Sequence, residues 1–206
     1  LVGNATALSF HSKGIQGSGD LETRDFDLSD FDEISVGGAF EVDIKFGDRQ
    51  EIAVTIDDNL WDNLTLEVRG DRLTIDWDDD CSPDGDCRLE LTVTSLKAMS
   101  VSGAADVDIT GFEGKQFKFK LSGAAELEMS GEVDDLDIQV SGAGDIDTRD
   151  LQAQHVKVRI SGAGNANITA TESLDAKVSG VGNIKYWGDP EQKSTTVSGM
   201  GNISAK

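Results

Sequence analysis

Paired carboxylates recur along the second half of the chain, as Asp106-x-Asp108, Glu126-x-Glu128 and Asp145-x-Asp147. Oxygen side chains of this kind are what calcium takes as ligands. If successive copies lie over one another, Asp108, Glu128 and Asp147 form a column that would suit a calcium ion. The competing reading is structural. Asp and Asn at position 106 and its equivalents favour turn geometry, and the outer column is then simply solvated. The series continues as Asn165, Asn183 and Asn202, and in the second position as Asn167, Lys185 and Ser204. The calcium-binding nonapeptide pattern Gly-Gly-x-Gly-x-Asp fits poorly, because Ile146 stands where its Asp should be.

Other reactive groups are sparse. Cys81 and Cys87 are the two cysteines, spaced by Ser-Pro-Asp-Gly-Asp. The Pro83-Asp84-Gly85 turn predicts that their sulfurs meet in a small disulfide at a hairpin tip, which implies an oxidising compartment. Zinc needs more ligands, and His11 and His155 are far away in sequence. Ser102 and its equivalents recur six times, as structural residues do, whereas a nucleophile would be unique and would have a base beside it. His155 has no evident acid–nucleophile pair. The Gly-x-Gly turns have no helix after them, so they are not phosphate loops. No catalytic residues and no cofactor are assigned.

What must position these groups is a repeated turn. Ser-Gly-x-Gly or Ser-Gly-x-Ala corners carry Gly103, Gly123, Gly142, Gly162, Gly180 and Gly199, spaced by 20, 19, 20, 18 and 19 residues. Alternation flanks each corner, as in Phe117-x-Phe119-x-Leu121 and Leu127-x-Met129, and period two means strand. The corner glycines are expected to supply left-handed backbone angles. About 19 residues per repeat is too few for a helix-bearing unit and suits a β-solenoid with coils roughly 4.8 Å apart. Stacking then predicts an internal column of Val101, Leu121, Val140, Ile160, Val178 and Val197. It also places Ala104, Ala124, Ala143, Ala163, Val181 and Met200 along a tight corner. Lys118, Asp137, Lys157 and Asp175 alternate in sign, as a vertical ladder should.

A single domain over residues 1–206 is expected, with regular coils in 97–206 and wider, irregular coils and a cap in 1–96. Residues 1–14 read as a leader or first edge strand. Ile15-Gln-Gly17-Ser-Gly19-Asp20 and Ser35-Val-Gly37-Gly38-Ala-Phe-Glu41 are early copies of the corner. Trp61 and Trp77 are expected in the core of the cap, which covers strand edges that would otherwise be open. At the other end Lys185, Lys193 and Lys206 guard the last coil, or a second copy covers it.

Net charge is −21, with 39 acids against 18 bases. That argues against nucleic acid and against docking on anionic lipid, since phosphate contacts need Lys and Arg. No apolar run approaches the length of a membrane span. Leu1 in place of an initiator Met predicts a processed chain whose signal peptide or anchor precedes it.

The corners, together with Phe31-Asp-Glu-Ile-Ser-Val-Gly-Gly-Ala-Phe-Glu-Val-Asp-Ile44 and Gly70-Asp-Arg-Leu-Thr-Ile75, resemble the "putative auto-transporter adhesin, head GIN domain" family over residues 15–204. The resemblance implies a right-handed parallel β-helix with sheets meeting at the glycine corners. It implies an exported envelope or surface protein of a Gram-negative bacterium with an adhesive role, and it transfers no catalytic residue. Corners at Ala105 and Ala125 depart from the family's second glycine. The expectation is a non-enzymatic structural or adhesive module that binds a protein or glycan, or a second copy through its C-terminal edge. Alternatives are a carbohydrate-active β-helix, for which Trp61, Trp77, Tyr186 and Trp187 would line a groove, and a periplasmic sensor or partner-binding domain.

Overall fold

The computed structural model describes residues 14–78 and 81–206, and 73% of the chain is strand. The strands are β1 (Ile15–Gln16), β2 (Leu21–Phe26), β3 (Glu33–Val36), β4 (Ala39–Phe46), β5 (Glu51–Asp57), β6 (Leu64–Arg69), β7 (Arg72–Trp77), β8 (Cys81–Ser82) and β9 (Arg88–Val93). They continue as β10 (Ala98–Val101), β11 (Ala104–Leu121), β12 (Ala124–Val140), β13 (Ala143–Ile160), β14 (Ala163–Val178), β15 (Val181–Trp187), β16 (Gln192–Val197) and β17 (Met200–Ala205). Together they build a β-solenoid of about five turns from stacked parallel coils.

From β11 to β14 each coil is one long bent strand rather than two short ones. Only the Ser-Gly corner interrupts it. The second bend is crossed by a bulge, where the ladder slips between Ile109 and Phe112, between Glu128 and Gly131, and between Thr148 and Ala153. A bulge turns the strand without ending its pairing. The register is the predicted one: Val101, Leu121, Val140, Ile160, Val178 and Val197 pair in sequence up the stack. All but Val197 are buried. Burying such a side chain stabilises by roughly 1.5–3 kcal/mol, and the column repeats that gain at every coil. Phe112, Phe117 and Phe119 fill the wider part of the core, with Phe46 edge-on to Phe112 at 5.5 Å.

The corner glycines have a different cause from the one expected. None of the six has a positive φ. Each lies so close to the coil below that a side chain has no room. A Cβ on Gly123 would stand 1.8 Å from the carbonyl oxygen of Gly103, and one on Gly162 would stand 1.9 Å from that of Gly142. The neighbouring alanines point the other way: Ala104, Ala124, Ala143 and Ala163 are exposed, while Ala105 and Ala125 are buried at the positions that Gly144 and Gly164 occupy higher up. The register through Ala105 and Ala125 is unbroken.

The N-terminal region caps the stack, but its order in space is not its order in sequence. The coil made by β3 and β4 lies between β10–β11 on one side and β7 with β9 on the other, all parallel. Antiparallel strands then close the end: β6 on β7, and β5 on β9 with β2 beyond it. Trp77 stacks on Phe40 at 5.6 Å, and Trp61 packs beside Phe26 beneath Arg24. Asp57 is fully buried and its carboxylate accepts from the backbone N–H of Gly19, Asp84 and Gly85, which ties three loops together. At the far end β16 pairs only with β14, and β17 only with β15. Expectations for residues 1–13, including His11, lie outside the described residues.

Candidate functional site: two charged outer faces

The interior is filled by side chains, so chemistry belongs to the outside of the coils. The strand segments that follow each corner carry the acidic face. Glu41, Asp106, Glu126 and Asp145 stack in one column, and Asp43, Asp108, Glu128 and Asp147 in the next. Stacked like charges are destabilising at coil spacing. Local bonds answer part of this. Arg88 lies 3.2 Å from Glu41 and 3.4 Å from Asp43. Arg149 holds Asp147 through Nε and Nη2 at 2.8 and 2.6 Å, and its hydrogen bonds keep the Asp147 carboxyl below the usual carboxylate range. Asp108 accepts from Thr110 at 3.0 Å.

Further along, asparagines replace the acids and form a ladder. Asn183 donates to Asn165 at 3.1 Å, and Asn165 donates to Asp145 at 2.8 Å. The proposed column of Asp108, Glu128 and Asp147 is thus stacked as the sequence requires. Among the described residues no three His, Cys, Asp or Glu side chains are grouped as a metal site. An arginine already occupies the top of the column.

The segments that precede each corner carry the opposite face. Lys118, Asp137, Lys157 and Asp175 stack as foreseen, with Lys118 4.0 Å from Asp137. The adjacent column is Lys120, Gln139, Arg159 and Lys177, basic without a single acid. Its signal is in the sequence: the register that aligns Lys118 with its equivalents aligns this column two residues on. Two grooves of about 790 and 430 Å³ run over this face. Another of about 450 Å³ lies over the acidic face.

His155 has neighbours that the sequence did not suggest. Its Nδ1 lies 2.9 Å from the Ser173 hydroxyl, and its Nε2 lies 3.8 Å from Glu172. All three come together because coils stack, although 18 residues separate the histidine from the serine.

The hairpin-tip disulfide is not formed: Cys81 and Cys87 are not bonded to each other. The turn does not bring them together as partners. Cys81 sits in β8, paired with Ile15 of β1, while Cys87 turns into the core at 5% exposure. Burial pushes the Cys87 thiol up to about 11, with Asp57 and Asp86 adding to the rise. Trp61, Trp77 and Tyr186 pack against the core, and Trp187 lies beneath Arg149. None of the four lines the grooves on either charged face.

A parallel β-solenoid with a closed core and charged outer faces is the class that fold and surface define. The chain belongs to the family described as "Putative auto-transporter adhesin, head GIN domain", whose model matches residues 30–190. It is similar to the crystal structure of a putative adhesin from Bacteroides fragilis, at 25% identity and TM-score 0.67, over 94% of this chain and 100% of that one. A structure from Parabacteroides distasonis, described as a putative lipid binding protein, matches at 27% identity and TM-score 0.52, over 93% and 99% of the two chains. A putative adhesin from Parabacteroides merdae, at 19% identity, TM-score 0.62 and coverage of 94% and 99%, shares the fold. No curated protein matches the chain.

Proposed function

We propose that this chain is a non-enzymatic adhesive module of an exported cell-envelope or surface protein of a Gram-negative bacterium, which binds a glycan or protein through its outer faces. The observation that carries this reading is the stacking of charge into columns: paired acids after the earlier corners, and an acid-free basic column beside a mixed one before them, around a buried apolar core. Its likeness to structures described as adhesins supports the same reading. Beads coated with the purified chain should adhere to bacterial or epithelial cell layers, and less so at high salt. Beads that adhere no better than albumin-coated ones would overturn it. Protease treatment of whole cells making the full-length protein should digest this segment; protection would place it inside the envelope.

A carbohydrate-cleaving reading has one observation in its favour, the group of His155, Ser173 and Glu172. Its geometry is weak for catalysis. The acid is 3.8 Å away, its side chain is 61% exposed, and the imidazole is 45% exposed. Glycoside cleavage calls for two carboxyl groups flanking the bond, and this group supplies one. Ser173→Ala should leave turnover of any polysaccharide at background level; activity abolished by that change would favour the enzyme.

A further inference from the structure

The acid-free column on the basic face has a ligand chemistry of its own. Lys120, Arg159 and Lys177 line the groove of about 430 Å³, whose other polar groups are Gln139 and serine hydroxyls. No carboxylate lines it, in a chain of net charge −21. Arg159 stands directly over Lys177, a like-charge pair that the Asp175 carboxylate offsets only on the Arg159 side. Among the described residues Lys120 and Lys177 have no ion-pair partner. Arg159 donates through Nη2 to Asp175 at 2.9 Å, yet its Nη1 is buried with no hydrogen-bond partner. Nη1 is out of reach of solvent, so the guanidinium meets a ligand only through its exposed edge, the side chain being 39% exposed.

We propose that this column binds a linear acidic polysaccharide, bearing uronate or sulfate groups, laid along the solenoid axis. Cations recur along one column, with three coil spacings from Lys120 to Lys177, about 14 Å at the usual strand spacing. A chain with regularly placed anions matches that line. Arg159, already donating to Asp175, adds positive charge to the line rather than a free fork of donors. The adjoining groove of about 790 Å³ is mixed in charge, with Asp135, Asp137 and Asp175 beside Lys118 and Lys157, so the acidic chain is placed over the acid-free groove alone. A nucleic acid would want exposed rings for its bases, and of the two rings lining these grooves Phe117 is buried and the His155 imidazole is held by Ser173. A membrane would want apolar side chains to insert, and Val101, Leu121 and Val140 in this groove are all buried.

The inference rests on the reading of the outer faces as binding surfaces. Calorimetric titration with heparin and with polygalacturonate tests it, with neutral dextran and phosphatidylserine vesicles as comparisons. At least one acidic polysaccharide should bind, dextran should not, and added salt should weaken the interaction. Lys120→Gln combined with Lys177→Gln, both at exposed sites, should lower affinity by about tenfold or more. Glu113→Gln, elsewhere on the coil, should leave it unchanged. Absence of binding to both acidic polysaccharides overturns the proposal, as does a double variant that binds like the parent. Binding to vesicles alone, or self-association at low salt that the double variant abolishes without any polysaccharide binding, overturns it too. Beads that still adhere to cells when neither polysaccharide binds would sink this inference and leave the adhesive reading standing; loss of both would sink both.

Discussion

At the scale of single residues, the corner glycines answer to space rather than to backbone angle. Gly142→Ala would place a Cβ 1.9 Å from the Gly123 carbonyl oxygen, with rigid backbone around it. The coils must part, and a loss of about 3 kcal/mol or more is expected in urea denaturation. Gly111 is the contrast. It has φ +74° and nothing within 4 Å of a Cβ, so Gly111→Ala should cost only about 1–2 kcal/mol through backbone strain. The sequence made the glycines legible as invariants of the repeat but not the reason for them, because contact between coils cannot be read from one coil alone. Asp57 gave no signal at all, being one acid among 39. Asp57→Ala would remove the buried acceptor that three loop N–H groups share, and a loss of about 1–3 kcal/mol is expected. Cys87 adds a pH dependence. Its folded thiol holds its proton up to about 11, against an ordinary 9.0. The unfolded chain therefore releases that proton first, and stability falls as pH rises from 9.0 towards 11. Urea midpoints measured at pH 8 and 10.5 should drop more for the parent than for Cys87→Ala; equal drops would contradict this.

At the scale of the element, the period of about 19 residues and the alternation around each corner were enough to foresee the parallel coils and their register. They could not show that each coil is one continuous strand, since a bulge at Thr110-Gly111 and a turn there look alike in sequence. Nor could they show that β7 and β9 lie outside β3 and β4. That order depends on pairing between segments about 40 residues apart, where no repeat marks the partner. The last coil leaves its edge open: Val197 and Met200 are 44% and 73% exposed. Lys193 and Thr195 sit in register with the buried Leu174 and Ala176, as polar residues that discourage indiscriminate edge pairing do. We propose that a second copy covers this edge. Sedimentation should show a dimer at micromolar concentration that Val197→Lys with Met200→Lys converts to monomer. A parent mass that stays monomeric at every concentration would contradict it.

At the scale of the whole molecule, stacking turns a weak sequence preference into charged faces. Coils such as β11 and β13 contribute two acids after the corner and two bases before it, and repetition sums them into columns. The paired carboxylates are legible for this reason; the basic column lies in the same register but is interrupted by Gln139, so no run of one residue type marks it. With Arg149 on Asp147 and no metal grouping among the described residues, thermal melts with and without millimolar calcium should coincide. A rise of several degrees would restore the cation column. All of these expectations depend on coils lying rung over rung. A methyl–methyl NOE spectrum of the Ile, Leu and Val side chains tests that most directly. Strong contacts are predicted for Leu121–Val140, Val140–Ile160 and Ile160–Val178, with none between Leu121 and Ile160 two coils apart. Missing nearest-coil contacts, or a Leu121–Ile160 contact as strong as its neighbours, would contradict the stacking.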